Sequence, residues 1–565
     1  MTRPRNSSPA SSFAVALLDE FVRLGVRDVV LSPGSRSQAL ALAAAELEAA
    51  GRLRLRVRID ERGAGFTAIG LAVETGAPVL VVTTSGTAVA NLHPAVLEAH
   101  HSGVPLIVVS ADRPIVMRGI GASQATIQPG IFGGAVRATF DVVAPTGVSG
   151  EEASARRVAA DAVTAAGTSP ITTGPVHLNI AFVEPLSAIV PLPPEAEPAV
   201  YAPPRLLGDA LPIYQAPGTV VVAGHGAGEV AEATARALGA PLFAEVSSGA
   251  HFGPNLVVAY REMLPTIDFG DRIERVIVFG HPTLSREIPA LIERTDVSTV
   301  VVRSPAFDDY NPGHAVATFA DAVRVTGEPD ASPAGRAWLG RWVATSRALL
   351  EQQDSPDVEL AISAEPAAQA AFSRQVLAGL RAPITCRALV EAVWRVTWPH
   401  DRLVLGASRL IREADRVVSG KKIRVHANRG LAGIDGTIAT AVGVALASQE
   451  VAGPSAGGTT RVLLGDLTLL HDAGSLLFGV GEPRPRVQVI VGNDGGGTIF
   501  DSLEVASTAP SGPLDRVMLT AQSVSFEQLA AAYGWEYRLL RNRGELDSGL
   551  TASNAPTLIE VPLTR

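Results

Sequence analysis

The sequence predicts an α/β fold built from three doubly wound parallel-sheet units, and three observations carry that reading. Short β-branched runs such as "APVLVVTTSGTAVAN", "VPLIVVSADRP", "GTVVVAGHG" and "RVQVIVGND" recur along the chain, each ending in Gly, Ser, Asp or Pro. Ala-rich stretches of helical length separate them, the pattern of βαβ units and a buried parallel sheet. The chain has 565 residues, of which 47% are apolar and 18% charged, too many for a single core. Two composition shifts divide it: the proline-rich "VEPLSAIVPLPPEAEPAVYAPP" and the acidic, Ala-rich residues 350–380. The expected units are 1–190, 205–350 and 380–565.

In the first unit, "FAVALLDEFVRLGV" has helical apolar spacing, and "DVVLSPGSRS" is a buried strand running into a turn and a helix start. "LRLRVRID" is a further strand, and "GPVHLNIAF" reads as the unit's last one. The second unit opens on "GTVVVAGHGAGEVAEA", where Gly224, Gly226 and Gly228 with Glu245 imitate a dinucleotide fingerprint. The third glycine comes one residue early, G-x-G-x-G rather than G-x-G-x-x-G, which favours shared turn chemistry over a nucleotide site. The third unit starts near Thr385 and alternates again through "DRLVLGAS", "RVLLGDLTLLHD", "RVQVIVGNDGGGTIF" and "TLIEVPL".

Bulk properties exclude several roles. A net charge of −9 without a basic block argues against nucleic-acid binding. One cysteine, Cys386, leaves no intrachain disulfide and no Cys-rich metal site. No window has the length of a membrane span, so the expectation is a cytoplasmic enzyme without membrane insertion. His93, His100 and His101 sit on one helix and read as helix residues rather than metal ligands. Ser85 is outside a G-x-S-x-G elbow and is not a hydrolase nucleophile.

The sharpest chemical signal is in the third unit. Asp466 follows Gly465 at one strand end, and Asn493 closes the next strand before the glycine-rich "DGGG". A carboxylate, an amide oxygen and a loop carbonyl, here Gly495, are hard ligands of the kind Mg²⁺ accepts beside phosphate oxygens, and glycines admit phosphates close to backbone N–H groups. In the first unit, "RVRIDERGAGF" places Glu61 where a strand gives way to a glycine-rich helix start.

Strand–Gly-Asp, then strand–Asn, resembles the diphosphate and Mg²⁺ motif of thiamine diphosphate enzymes, and the three units resemble the pyruvate oxidase and decarboxylase branch. "SPGSRS", "DERGAGF", "TSGTAVANLHPAVLEA", "SADRP", "GASQATIQPGIF", "NRGLAGIDG" and "GDLTLLHD" together resemble the carboligase family of menaquinone synthesis. Gly465-Asp466-Leu467 is a form that family accepts, while Asp494 stands where it often has Asn. The resemblance implies thiamine diphosphate with Mg²⁺ (or Mn²⁺), 2-oxoglutarate and isochorismate as substrates, and a homodimer or dimer of dimers whose site lies between chains. The units become pyrimidine-binding, middle and diphosphate-binding domains. Glu61 becomes the group that drives the pyrimidine to its imino tautomer. Ser85, Gly86, Gly433, Ile434, Leu467, Gly495 and Ile499 join Asp466 and Asn493 around the cofactor.

The two substrates bring four carboxylates, which demands arginines. Arg36, Arg113, Arg412 and Arg429 meet that demand in the matching motifs, with Ser35, Gln124, Ser408 and Phe500 beside them. Arg286 replaces the family's usual lysine. Rival readings are an acetolactate-type synthase or other 2-oxoacid decarboxylase, and a dinucleotide-binding regulatory protein on the G-x-G-x-G unit.

Overall fold

Three parallel sheets form because each apolar run is buried on both faces, and helices return the chain to the same sheet edge. The structure is a computed structural model that describes residues 8–167, 172–195, 197, 201, 210–305, 308–327, 332–351, 362–450 and 453–564.

The first sheet contains β1 (Asp28–Leu31), β2 (Arg54–Val57), β3 (Val79–Thr83), β4 (Leu106–Asp112), β5 (Thr139–Val142) and β6 (Val176–Ala181), in the order β2-β1-β3-β4-β6-β5. After a short strand β7 (Leu211–Tyr214), the second sheet is made of β8 (Thr219–Ala223), β9 (Leu242–Ala244), β10 (Arg275–Phe279), β11 (Ser298–Val302) and β12 (Thr318–Ala320). Its order is β12-β11-β10-β8-β9, and β13 (Val323–Thr326) pairs separately with β7. The third sheet takes β14 (Arg402–Leu405), β15 (Arg424–His426), β16 (Thr460–Gly465), β17 (Val487–Asn493), β18 (Glu536–Leu539) and β19 (Thr557–Pro562) in the order β15-β14-β16-β17-β19-β18. First and third sheets therefore share one topology, and in all three the strand order reverses between a unit's first and third sheet strands. Open α/β sheets bind ligands at such switch points, beyond the carboxyl ends of the strands.

One apolar core runs continuously through the first and third units, from Val30, Phe66 and Val81 to Val462, Val491 and Leu558. Its seam is the crossing of helix Glu61–Thr75 with helix Thr437–Glu450. A Cβ at Gly443 would lie 2.1 Å from the Thr67 carbonyl, and one at Gly70 would lie 2.0 Å from that of Thr440, so only glycines permit this approach. The glycines after Glu61 thus serve helix packing rather than clearing space for a ligand ring: a Cβ at Gly65 would meet Ala95 at 2.6 Å. The seam is also ionic. Glu74 accepts hydrogen bonds from Arg402 and Arg424 at 2.7 Å and pairs with His426 at 3.0 Å. Burial would raise its pKa, yet His426 and Arg402 hold it at about 2.

The proline-rich segment after β6 is tied to the first unit where it is described. Ser8 Oγ donates to the Pro185 carbonyl at 2.6 Å, Ala188 N–H donates to Ser11 Oγ at 2.9 Å, and Val190 and Leu192 pack on the first unit's outer core. Residues 350–380 contain the end of helix Pro333–Glu351 and nearly all of helix Pro366–Arg381, with 352–361 outside the described residues.

Candidate active site

Beside the third sheet's switch point between β14 and β16, β16 and β17 run in register with Gly465 opposite Gly492, which sets Asp466 and Asn493 side by side at adjacent strand ends. Asp466 starts a short helix, Asp466–His471, and is 3% exposed. Burial raises its pKa to about 6, against the pull of the Leu467 N–H at 2.7 Å; the neighbouring Asp494 raises it further, while the Gly495 and Gly496 N–H groups oppose. Burial also raises the Asp494 pKa, although Thr498 Oγ1 donates to that carboxylate. Asn493 Nδ2 donates to Glu560 at 2.7 Å, which turns its Oδ1 toward the Gly495 N–H at 3.3 Å. A cavity of about 130 Å³ opens above, lined by Ser408, Arg409, Ile434, Asp466, Leu467, Asp494, Gly496, Thr498, Ile499 and Phe500, among others.

Two carboxyls crowded into a buried, glycine-walled cavity at the ends of two strands fit a divalent cation and phosphates. No group of three His, Cys, Asp or Glu forms a metal cluster among the described residues. A metal here would therefore use the mixed set of Asp466, Asn493 Oδ1 and the Gly495 carbonyl, with phosphate oxygens completing it.

The first sheet's switch point carries the other expected residues. Glu61 is not at the strand end itself: β2 stops at Val57, and Asp60 caps the helix that Glu61 begins, accepting the Arg62 N–H at 3.0 Å. The Asn91 side-chain amide donates to Glu61 at 3.3 Å. Ser85 Oγ is buried without a hydrogen-bond partner, and Gly86 has φ +83°. Arg36 is 7% exposed, donating to the Phe182 carbonyl at 3.3 Å, while Ser35 beside it is exposed. Arg113 is half-buried, and its Nε also lacks a partner. Gln124 is exposed with φ +54°, a left-handed conformation that a non-glycine residue adopts at a cost of about 1 kcal/mol or more.

A second set of cations meets where the middle and third units touch. Arg429, 3% exposed, donates from Nε to Thr283 Oγ1 at 2.9 Å and from Nη2 to the Thr283 carbonyl at 3.2 Å. Burial and then Arg286 lower the Arg412 pKa; burial also lowers that of Arg429, where Glu245 opposes and Arg412 adds. Arg412 also donates to the Ser408 carbonyl at 3.2 Å. Gly433 lies across the loop, lining a separate cavity with Phe66, His93, Asn428 and Leu431.

Within one chain, then, Ser408, Ile434, Asp466, Leu467, Ile499 and Phe500 share a cavity, with Asn493 and Gly495 at its edge. Glu61, Ser35, Arg36, Ser85, Gly86, Arg113 and Gln124 do not line it. The middle unit's imitation fingerprint is closed. His225 and His281 exchange N–H···O bonds of 3.0 and 2.8 Å across the crevice mouth, and a Cβ at Gly224 would sit 2.1 Å from Pro282 N. Glu245, the would-be ribose ligand, accepts the Thr283 and Leu284 N–H groups at 2.6 Å; burial first, then Asp415, raises its pKa to about 8.

Sequence reasoning missed several supports. Glu98 accepts the Gly430 and Leu431 N–H groups at 2.8 and 2.9 Å and so holds the Asn428–Gly436 loop from the first unit. Asp472 accepts the Ile438 N–H at 2.7 Å, capping the helix that follows that loop. Both Asp472 and Glu98 lay inside quoted motifs, but nothing in the sequence says which backbone N–H groups they accept.

The comparisons agree with this geometry. Residues 12–131 match the family model described as thiamine pyrophosphate enzyme, N-terminal TPP binding domain. The chain is 58% identical to the 2-succinyl-5-enolpyruvyl-6-hydroxy-3-cyclohexene-1-carboxylate synthase of Leifsonia xyli subsp. xyli, covering 100% of this chain and 98% of that one. It belongs to that synthase family. The synthase of Clavibacter michiganensis subsp. michiganensis is 56% identical with the same coverage, and that of Arthrobacter sp. is 43% identical over 96% of this chain and 87% of the relative. Among solved structures, benzoylformate decarboxylase from Polynucleobacter necessarius superposes with a TM-score of 0.65, covering 98% of each chain at 16% identity, a likeness of fold alone. As a member of the synthase family, the chain is a thiamine diphosphate enzyme that forms C–C bonds.

Proposed function

We propose that this chain decarboxylates 2-oxoglutarate and adds the remaining four-carbon unit to isochorismate by conjugate addition, the step of menaquinone synthesis named by its relatives. The single observation that carries the reading is the pairing of Asp466 with Asn493 at register-matched strand ends, above a glycine-walled cavity, in a chain of this family. Bound thiamine diphosphate supplies a carbon nucleophile and an electron sink for decarboxylation.

The chain's own residues bind, orient and hold protons. Asp466, Asn493 and the Gly495 carbonyl would hold Mg²⁺ beside the diphosphate in the glycine-walled cavity. Ile434, Ile499, Phe500 and Leu467 would exclude water from the reacting end of the cofactor. Glu61 would hold a proton at the cofactor's pyrimidine. Arg36, Arg113, Arg286, Arg412 and Arg429 neutralise substrate carboxylates, with Ser35, Ser408 and Gln124 fixing their orientation. The one-chain cavity lacks Glu61, which supports a site shared between the first unit of one chain and the third unit of another, hence a homodimer or dimer of dimers.

Mixing the protein with thiamine diphosphate, Mg²⁺, 2-oxoglutarate and isochorismate tests the whole reading: CO₂ release with adduct formation is expected, and the absence of both would overturn it. If CO₂ appears with pyruvate instead of 2-oxoglutarate, the acetolactate-type rival takes its place.

A further inference from the structure

Across β4, β6 and β5 of the first sheet runs a hydrogen-bond network, buried at Asp112, Asn179 and Gln128 and reaching the surface at Asp141, that the proposed mechanism leaves unused. Arg118 bridges two carboxylates, reaching Asp112 at 2.9 Å and Asp141 at 2.7 Å. Arg118 and, less strongly, Asn179 lower the Asp141 pKa, so that carboxylate is ionised and only accepts. Asn179, fully buried, therefore turns its NH₂ toward them, donating to Asp112 at 2.9 Å and Asp141 at 2.8 Å. That leaves Asn179 Oδ1 facing Gln128, whose Nε2 donates to it at 2.8 Å and to the Ala111 carbonyl at 3.2 Å. Gln128, also fully buried, then presents its Oε1 to the Gly86 N–H at 2.9 Å. Amide orientation normally has to be deduced from surroundings, and here every link has one consistent direction.

The end of this chain matters most. Gly86 adopts φ +83°, and its N–H is drawn inward by Gln128. In a trans peptide the preceding carbonyl points the opposite way, so Ser85 C=O is held outward as an acceptor. Ser85 Oγ, buried and without a partner, sits beside it. We infer that Gln128 is a positioning residue, fixing the Ser85–Gly86 peptide so that the first unit presents a preset edge to the aminopyrimidine of thiamine diphosphate. The inference rests on the reading of the Thr84–Gly86 loop as a cofactor contact. It requires that the ionic pair at one end of the network set the peptide at the other.

Ser110 provides the internal control. It is equally buried and donates to Asn179 Oδ1 at 2.9 Å, with His177 Nε2 at 2.8 Å on its other side, but it lies off the path to Gly86. Cofactor titration of the full chain in Mg²⁺, followed by intrinsic fluorescence, together with melting temperature, separates the roles. Gln128→Met and Ser110→Ala should both lower the melting temperature. Only Gln128→Met should raise the thiamine diphosphate Kd, by about tenfold or more. Gln128→Glu gives a second handle, because a protonated carboxyl reproduces one donor and one acceptor. Relative to wild type, its cofactor affinity should be near normal at about pH 6 and fall toward about pH 8 as the proton leaves. The charged groups behind position 128 are Asp112, Asp141 and Arg118, and His177, whose pKa burial lowers to about 4, stays neutral over that window.

Wild-type affinity in Gln128→Met, or a Gln128→Glu profile parallel to wild type, would overturn the inference and reduce the network to a structural support. If Gln128→Met does not fold, the Gln128→Glu profile decides alone. Wild-type protein that fails to bind thiamine diphosphate would overturn the cofactor reading itself, and this inference with it.

Discussion

The first, middle and third units reverse strand order at the same place, yet they treat that place in opposite ways. In the third unit the crevice is open and lined by Asp466, Asp494 and a glycine loop. In the first it is bordered by unpartnered polar atoms on Ser85 and Arg113. In the middle unit, His225 and His281 close the crevice by mutual backbone hydrogen bonds, and one Glu245 oxygen accepts two N–H groups from its own fold while the other is buried without a partner. The contrast teaches that a switch point offers a ligand site only where the backbone beyond the strands leaves the crevice open, whatever polar atoms lie beneath it.

The largest test of that contrast falls on the first unit. Glu61→Gln should cost about 10²–10⁴-fold in kcat with folding intact, because it removes a proton-controlling carboxyl while preserving size. Steady-state turnover checks it, and near-normal kcat would remove the first crevice from the chemistry. Next comes the seam that holds the two working units together. Glu74→Ala leaves Arg402 buried without its carboxylate and should destabilise by about 3–5 kcal/mol in urea unfolding.

The same group gives a pH signature. Its folded pKa of about 2 is below the ordinary carboxylate value, so its contribution is complete above about pH 4.5 and fades as pH falls toward 2. Acid titration of stability should be less steep there in Glu74→Gln. Smaller is the effect of Gly443→Ala, whose Cβ collides with the Thr67 carbonyl and should cost about 1–3 kcal/mol. The smallest expected effect is none: millimolar NAD should leave the melting temperature unchanged, since binding to the native state would raise it. A rise would reopen the middle crevice.

Much of this was readable in the chain before folding. Central strands such as β3, β4, β16 and β17 are buried on both faces, so their apolar runs announce them. Strands without such a signal include β5 and β18, each the fifth of its sheet and each at an edge. Half-exposed strands such as Thr139–Val142 and Glu536–Leu539 carry Asp141 and Arg538 instead of a continuous apolar run.

The same division runs through the site. Asp466, Asn493 and Glu61 stand at element boundaries, where local chemistry marks a polar residue as out of place; type and spacing single out the first two, and the family resemblance gives Glu61 its proposed role. The purpose of the glycines after Glu61 is not readable from the chain, because what a missing Cβ makes room for depends on which helix lies opposite. Gln128, Asn179 and Glu98 reach partners tens to hundreds of residues away, and nothing local names those partners, although Gln128 and Glu98 lie inside quoted motifs. Sequence by itself determined the sheets, their glycine turns and the acids at the strand ends, since these follow from burial and backbone conformation along a short stretch of chain. Only the tertiary structure decided which crevice stays open and which network holds it, since hydrogen-bond satisfaction depends on the whole fold.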